Sequence, residues 1–404
     1  MVINEVFAGV RIVELAQYVF VPGASVLMAD HGAEVIHVEP TGTGDPYRTL
    51  NIGDGREVGS VNLAMEQNNR GKKSIALDLK KPEGREAMLK LIETADVFLT
   101  SLRPKAIRGL GLDIEDLRKV NPKLIYARGN GFGFKGADAD RPGFDASAFW
   151  ARGGLAFAFT PPGQPLTPPR AAFGDHSGSV ALAFGIASAL YKRAMTGEPS
   201  VVDTSLLSTA TWMLSADITY SQSPDYVAHN PNVHRFPLMY AYPTNDGRMI
   251  QLMLLDPQPK WPGLCKMIGL EHLIDDPRFA DNKSRMANGS ALVELIGAEI
   301  IKHGWLDHWK PIFEAWDAPW ELIQTIEDVR VDPQVHANGM MFNMTAPDGS
   351  EVSVIAGPAS FDGQAGPRFP KGSPGMGEHT EELLRSAGYD DTAIAALKAS
   401  GVAQ

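Results

Sequence analysis

Apolar and polar positions alternate in a repeating rhythm through the first third of the chain. Residues 10–15 (Val-Arg-Ile-Val-Glu-Leu) are β-rich, residues 22–31 carry a helical pattern with Pro22 at its start, and residues 34–39 are β-like again. Residues 74–79, 82–94 and 97–100 repeat strand, helix and strand, and a helical 114–121 leads into a strand over 124–128. Strands joined through helices run parallel, so the pattern predicts an open, doubly wound α/β domain.

The texture then changes. Residues 173–179 (Phe-Gly-Asp-His-Ser-Gly-Ser) precede an apolar helix over 180–193, which Gly197 stops. Residues 201–204 read as a strand and 206–220 as a second long helix, while the Asn, Pro and His of 230–236 mark a linker. Residues 239–244 and 248–255 flank Asn245-Asp246-Gly247, a β-hairpin signal, and a mostly helical stretch runs to about Thr325. This predicts a smaller second domain. A strand returns at 351–355, and helices over 378–387 and 392–400 close the chain.

Composition narrows the classes. With 404 residues the chain can build a large core in about two domains. A net charge of -11 argues against a nucleic-acid partner, which needs concentrated Lys and Arg. The single cysteine, Cys265, excludes an intramolecular disulfide framework and fits a reducing cytoplasm. No apolar run reaches the roughly 18 residues that span a bilayer, and no secretory signal pattern opens the chain. A cytoplasmic protein without membrane contact is expected.

The motifs are less direct. Gly131-Phe-Gly-Phe-Lys-Gly136 matches the dinucleotide fingerprint, yet Ala-Asp-Ala-Asp-Arg-Pro-Gly follows, which reads as loop rather than helix. A nicotinamide dehydrogenase is therefore disfavoured. There is no H-E-x-x-H, C-x-x-C or nucleophile elbow, so metal and serine-hydrolase chemistry find no support. Basic residues Arg70, Lys72, Lys73, Lys80, Lys81, Arg103, Lys105 and Arg108 cluster near strand ends, where Lys80 and Arg103 would form a cationic rim for a phosphorylated ligand. Asp175, set between small residues before a helix, fits an N-cap; it also fits a nucleophile, with Gly178 admitting a substrate to the main chain.

Several blocks, taken together, weigh between these two. Gly9-Val-Arg-Ile-Val-Glu-Leu15, Gly42-Thr-Gly-Asp45, Asn69-Arg-Gly-Lys-Lys-Ser-Ile-Ala-Leu-Asp-Leu-Lys80, Arg103-Pro104, Arg141-Pro-Gly-Phe-Asp145, Gly174-Asp175, Asp276-Pro-Arg-Phe279 and Gly377-Glu-His-Thr380 follow one another in the order and spacing of one family. The chain resembles the class III (CaiB/BaiF) CoA-transferases, which include formyl-CoA:oxalate CoA-transferase and the 2-methylacyl-CoA racemases. The resemblance implies CoA transfer from an acyl-CoA donor to a carboxylic acid acceptor, with Asp175 as the nucleophile that carries an aspartyl-CoA thioester. Backbone N–H groups beside Gly178 would then face the developing oxyanion. The racemases carry His before the upstream Asp; Phe144 stands there and cannot carry a proton, which disfavours racemisation. A non-catalytic acyl-CoA-binding protein is the alternative from another class.

For coenzyme A, as substrate and product and without a metal, the resemblance implies contacts at Val19, Phe20, Leu77, Lys80, Ser101, Leu102, Arg103, Arg141 and Phe144, with Arg108 a displaced phosphate partner. Pro40 and Gly109 replace basic residues common in the family. The implied fold is a Rossmann-like, doubly wound large domain plus a smaller α+β domain, two chains interlocked as a homodimer. Its boundaries would be 1–225 for the CoA-binding part, 226–330 for the small domain and 331–404 for a segment returning to the large one. Phe149, Trp150 and the Pro-rich residues 160–169 hint at a bulky or apolar acyl group, with ordinary core and loop an equal reading.

Overall fold

The structure, a computed structural model, describes residues 5–50, 57–58, 60–224, 226, 236–368 and 370–404. All but Phe236 of the expected linker at 230–236 lies outside the described residues. Two compact units emerge, one of Met1–Thr160, Pro165–Val227 and Pro333–Gln404, the other of Pro161–Gln164 and Ala228–Asp332.

The first unit is built on a six-stranded parallel sheet. Its strands are β1 (Arg11–Leu15), β2 (Glu34–Glu39), β5 (Lys73–Ala76), β6 (Val97–Thr100), β7 (Ile125–Asn130) and β8 (Val201–Ser205), while β3 (Glu57–Val58) and β4 (Val61–Asn62) form a separate two-strand ribbon. The order β5-β2-β1-β6-β7-β8 is that of doubly wound sheets, with the reversal between β1 and β6. Because side chains alternate, Val13, Leu15, Ile36 and Phe98 enter one core and Ile12, Val35, Val97 and Leu99 the other. Helices α3 (Pro82–Glu93) and α5 (Ile114–Val120) cover the first face. Helices α1 (Phe20–Ala29) and α7 (Phe173–Thr196) pack against each other on the second, while α2 (Leu63–Asn69) lies beside α1. Short helices α4 (Pro104–Gly109) and α6 (Leu155–Ala158) fill connections.

The expected second long helix is two, α8 (Leu206–Met213) and α9 (Ser215–Tyr220), broken where Leu214 leaves helical geometry at ψ +18°. The β5 strand ends at Ala76 rather than Leu79, because Leu77 turns to pair with Ala403. The chain's last residues therefore line the sheet's β5 edge: Asp78 N–H donates to Val402 O (2.8 Å) and Gln404 N–H to Ala76 O (3.2 Å).

In the second unit β9 (Ala241–Pro243) and β10 (Met249–Leu252) form the predicted antiparallel hairpin, joined by β11 (Trp320–Leu322). Helices α10 (Trp261–Met267), α11 (Asn282–Ala287), α12 (Gly289–Ile300) and α13 (Lys310–Glu314) pack around a core of Tyr242, Trp261, Phe279, Trp309 and Phe313, and α14 (Ile326–Val331), which buries no side chain, follows β11. Back in the first unit, α15 (Pro333–Ala337) leads to β12 (Met341–Thr345), which pairs with β13 (Glu351–Ile355) outside the main sheet. Helices α16 (Thr380–Ser386) and α17 (Asp391–Ala399) complete the first core through Leu383, Leu384, Ile394 and Leu397. Among the described residues no helix is long and apolar enough to cross a membrane.

Candidate active site

Helix α7 begins earlier than the apolar pattern suggests, so Asp175 lies inside its first turn and is not the N-cap. Ala172 occupies that place at φ +58°, without a capping side chain. The cap comes from elsewhere: Asp145, first residue of a π-helical turn (Asp145–Ala151), accepts the Gly174 N–H at 3.0 Å and the Asp175 N–H as well. A Cβ on Gly174 would fall 2.5 Å from Asp145 Oδ1 and 2.3 Å from the Phe149 ring, so this arrangement requires glycine.

Gly178 has a different purpose from the one its sequence suggests. It is the sixth residue of α7, where N–H groups are already committed to the helix, so it offers no oxyanion donor. A Cβ there would meet the Phe20 ring at 2.5 Å, and Ser179 Oγ lies 2.7 Å from Phe20 O. Gly178 lets α1 and α7 approach closely.

The Asp175 carboxylate is half-buried and makes no hydrogen bond among the described residues. Burial, with the Asp145 charge adding to it, pushes its pKa up to about 7. Burial also raises Asp145, against the pull of its two backbone donors. The neighbouring His176 places Nε2 3.1 Å from Asn68 Oδ1, and burial lowers its pKa. His176 faces a cleft of about 1540 Å³ beside α7 that Asn68, Ser177, Val180 and Phe184 also line.

The residues named for CoA fall into two groups. Val19 and Phe20 open α1 and Ser101, Leu102 and Arg103 follow β6, so all five sit at the carboxyl ends where the sheet reverses. Ser101 Oγ accepts the Gln17 N–H at 3.0 Å across that reversal. Arg103 donates to Asp140 O at 3.2 Å, Arg108 lies 3.6 Å from Asp140, and Arg141 stacks its guanidinium 5.1 Å from the Phe132 centroid. Phe144 is 60% exposed and stands edge-on to Tyr18, with ring centroids 5.5 Å apart. Lys80 and Leu77 belong instead to the end of the edge strand.

Several side chains do not face a ligand as the sequence suggests. Val19, Phe20 and Leu77 have buried side chains, and Leu77 bridges to Ala403. Arg70 and Lys72 are not rim charges: Arg70 is buried against Asp30 (2.6 Å) and Lys72 against Glu14 (3.0 Å). Phe149 and Trp150 are core as well, and Trp150 Nε1 ties the Pro-rich loop down through Thr167 O (3.0 Å), so they carry no hint about the acyl group. Sequence reasoning gave no role to Tyr18, Asn68 or Asp45. The Gly42-Thr-Gly-Asp45 block was the available signal for Asp45.

The chain belongs to CoA-transferase family III, whose profile matches residues 7–380, and it is an enzyme of that class. It is 35% identical to the (R)-2-hydroxy-4-methylpentanoate CoA-transferase of Clostridioides difficile, over 98% of each chain. Similarity to the cinnamoyl-CoA:phenyllactate CoA-transferase of Clostridium sporogenes is 33% identity over 98% of this chain and 96% of that one. Among solved structures, the D175A mutant of Rv3272 from Mycobacterium tuberculosis superposes with a TM-score of 0.82 at 28% identity, over 94% of this chain and 99% of that one. A CaiB/BaiF family protein from Brucella suis gives 0.80 at 28% identity, over 95% and 100%.

Proposed function

We propose that the enzyme moves CoA from an acyl-CoA donor to a carboxylic acid acceptor through an aspartyl-CoA thioester on Asp175. The observation that carries this is a half-buried carboxylate at the start of α7 with no hydrogen-bond partner among the described residues. An Asp175 oxygen attacks the thioester carbonyl carbon, the C–S bond breaks, and the CoA thiolate leaves a mixed anhydride. The thiolate then attacks the Asp175 carbonyl carbon, forming the enzyme thioester and releasing the donor acid. The acceptor carboxylate repeats these steps in reverse, which restores the free Asp175. Ionisation is required for attack, and the raised pKa of about 7 makes the readiness of the free enzyme sensitive to pH near neutrality.

CoA would lie along the turn at Val19 and Phe20 and the residues Ser101, Leu102 and Arg103, its phosphates reached by Arg103, Arg108, Arg141 and Lys80. Racemisation has no second base at Phe144. We also place the enzyme in the cytoplasm as an interlocked homodimer. An exposed stripe on α7 of Val180, Phe184, Tyr191 and Met195, with Trp212 nearby in the fold at 74% exposure, supports coverage by a second chain.

The test is intact-protein mass spectrometry after mixing with a panel of acyl-CoAs. A CoA adduct on Asp175, absent from Asp175→Ala, is the expected result. CoA binding without an adduct from any donor would overturn the reading.

A further inference from the structure

The turn between β1 and α1 is held in a conformation its sequence resists. Tyr18 sits at φ +67°, a left-handed geometry that a bulky residue adopts only when its surroundings impose it. The surroundings are explicit. Both Asp45 oxygens lie within reach of the Tyr18 N–H, at 3.2 and 3.3 Å. The same carboxylate accepts the Tyr47 N–H at 2.8 Å, and the Asp45 N–H donates to Glu39 Oε2 at 2.8 Å, which fixes its position.

Behind Asp45 lies a buried set of charges. His37 places Nδ1 2.7 Å from Glu14 Oε1 and Nε2 3.6 Å from Asp45 Oδ2. Lys72 directs its three protons to Glu14, Pro22 O and Asn69 Oδ1, each at 3.0 Å. Glu39 is held by Arg48 (2.6 Å) and by Ser74 Oγ (2.6 Å), and Ser25 donates to Glu14. Three carboxylates thus face three cations on one face of the sheet. Burial opposes the His37 charge, but Asp45 and Glu14 override it and hold the imidazole up at about 9. Well-packed apolar side chains would stabilise such a face as well or better, so the charges call for a positional explanation.

We infer that Asp45 is a positioning residue: backed by His37 and Glu14, it holds Tyr18 left-handed and so sets the turn that carries Val19 and Phe20 against α7. The opposite side of the turn is fixed by the helix of Asp175 itself, through Ser179 Oγ on Phe20 O and the Phe20 ring over Gly178. The inference rests on the reading that CoA lies along this turn.

The test uses the full chain and free coenzyme A. Calorimetric CoA affinity and amide exchange of the 15–21 peptide are compared across Asp45→Asn, Asp45→Ala, Tyr18→Gly and Tyr18→Ile. Asp45→Asn keeps an acceptor for the Tyr18 N–H and should hold both readouts within about threefold, whereas Asp45→Ala should lose about tenfold or more in both. Tyr18→Gly accepts the positive φ and should keep the turn protected, while Tyr18→Ile should behave like Asp45→Ala. Unchanged protection or affinity in Asp45→Ala, or equal behaviour of the Gly and Ile variants, overturns the inference. Should Asp45→Ala fail to fold, the Tyr18 pair decides, because both variants leave the ion set intact. CoA affinity that responds as expected, with no adduct on Asp175 in wild type, would overturn the nucleophile and leave this inference standing.

Discussion

The two compact units bury different chemistry. The first places Glu14, His37, Glu39, Asp45, Arg70 and Lys72 out of solvent, with Glu14, His37, Asp45 and Lys72 linked behind the β1–α1 turn. The second, among the described residues, buries only Thr244 and Arg285 as polar groups and packs Trp261, Trp305, Trp309, Phe279, Phe313 and Tyr242. Aromatic burial stabilises by removing area from water and tolerates some shift of each ring. Buried charge contributes little net stability, yet each group must sit where its partner is. The contrast teaches that geometry is most tightly specified around the β1–α1 turn.

The strongest test of that contrast is at Asp175 itself. Asp175→Ala should lower CoA transfer on the order of 10³-fold or more while the protein stays folded, read by coupled acyl-CoA assay and circular dichroism. Stability then separates the units. Lys72→Met should cost about 3–5 kcal/mol in urea unfolding, because it leaves the buried Glu14 with His37 and Ser25 alone and takes the donor from Pro22 O and Asn69 Oδ1, and adding Glu14→Gln should recover part of that loss. Phe313→Ala, which opens a cavity in the aromatic core, should cost about 3–5 kcal/mol as well, with no partner substitution to restore it.

Titration gives smaller but sharper effects. Asp175 must lose its proton to attack, so kcat/KM should rise as pH increases through about 7. Asp145→Asn removes a like charge and should move that midpoint to lower pH. The same raised pKa makes ionised Asp175 a burden on the fold, one that grows as pH rises from 3.8 towards 7. Asp175→Asn should therefore stabilise the protein at pH 8 by about 1–3 kcal/mol and leave it unchanged below pH 3.8. His37 moves stability in the same direction over a higher window: its contribution is full below 6.5 and fades as pH rises through about 9. Glu14 contributes fully above 4.5 and fades as pH falls through about 2, so this pair supports the fold best between 4.5 and 6.5. Loss of the alkaline fade in His37→Gln, followed by thermal unfolding across pH, would check the assignment.

Much of the parallel sheet is legible in the sequence, because each strand is a short apolar run punctuated by Pro, Gly or a helical period. The start of α7 is not. Its cap, Asp145, lies 29 residues upstream, so no local pattern announces it, and Gly178 reads as a substrate approach when its neighbour is the Phe20 ring. Arg70 and Lys72 look like surface charge for the same reason: their acceptors Asp30 and Glu14 are 40 and 58 residues away. Asp175 was picked out by the Gly-Asp block, but its unpartnered, half-buried state is a property of the packed helix. The left-handed Tyr18 has no glycine to betray it.

The pairing of residues 402–404 with the end of β5 bears on handling the protein. An uncovered strand edge is a template for aggregation, and here Asp78, Ala76 and Leu77 are met by the C-terminal residues. A chain shortened before Val402 would present that edge to its neighbours, so truncation there should first appear as turbidity on storage or poor yield.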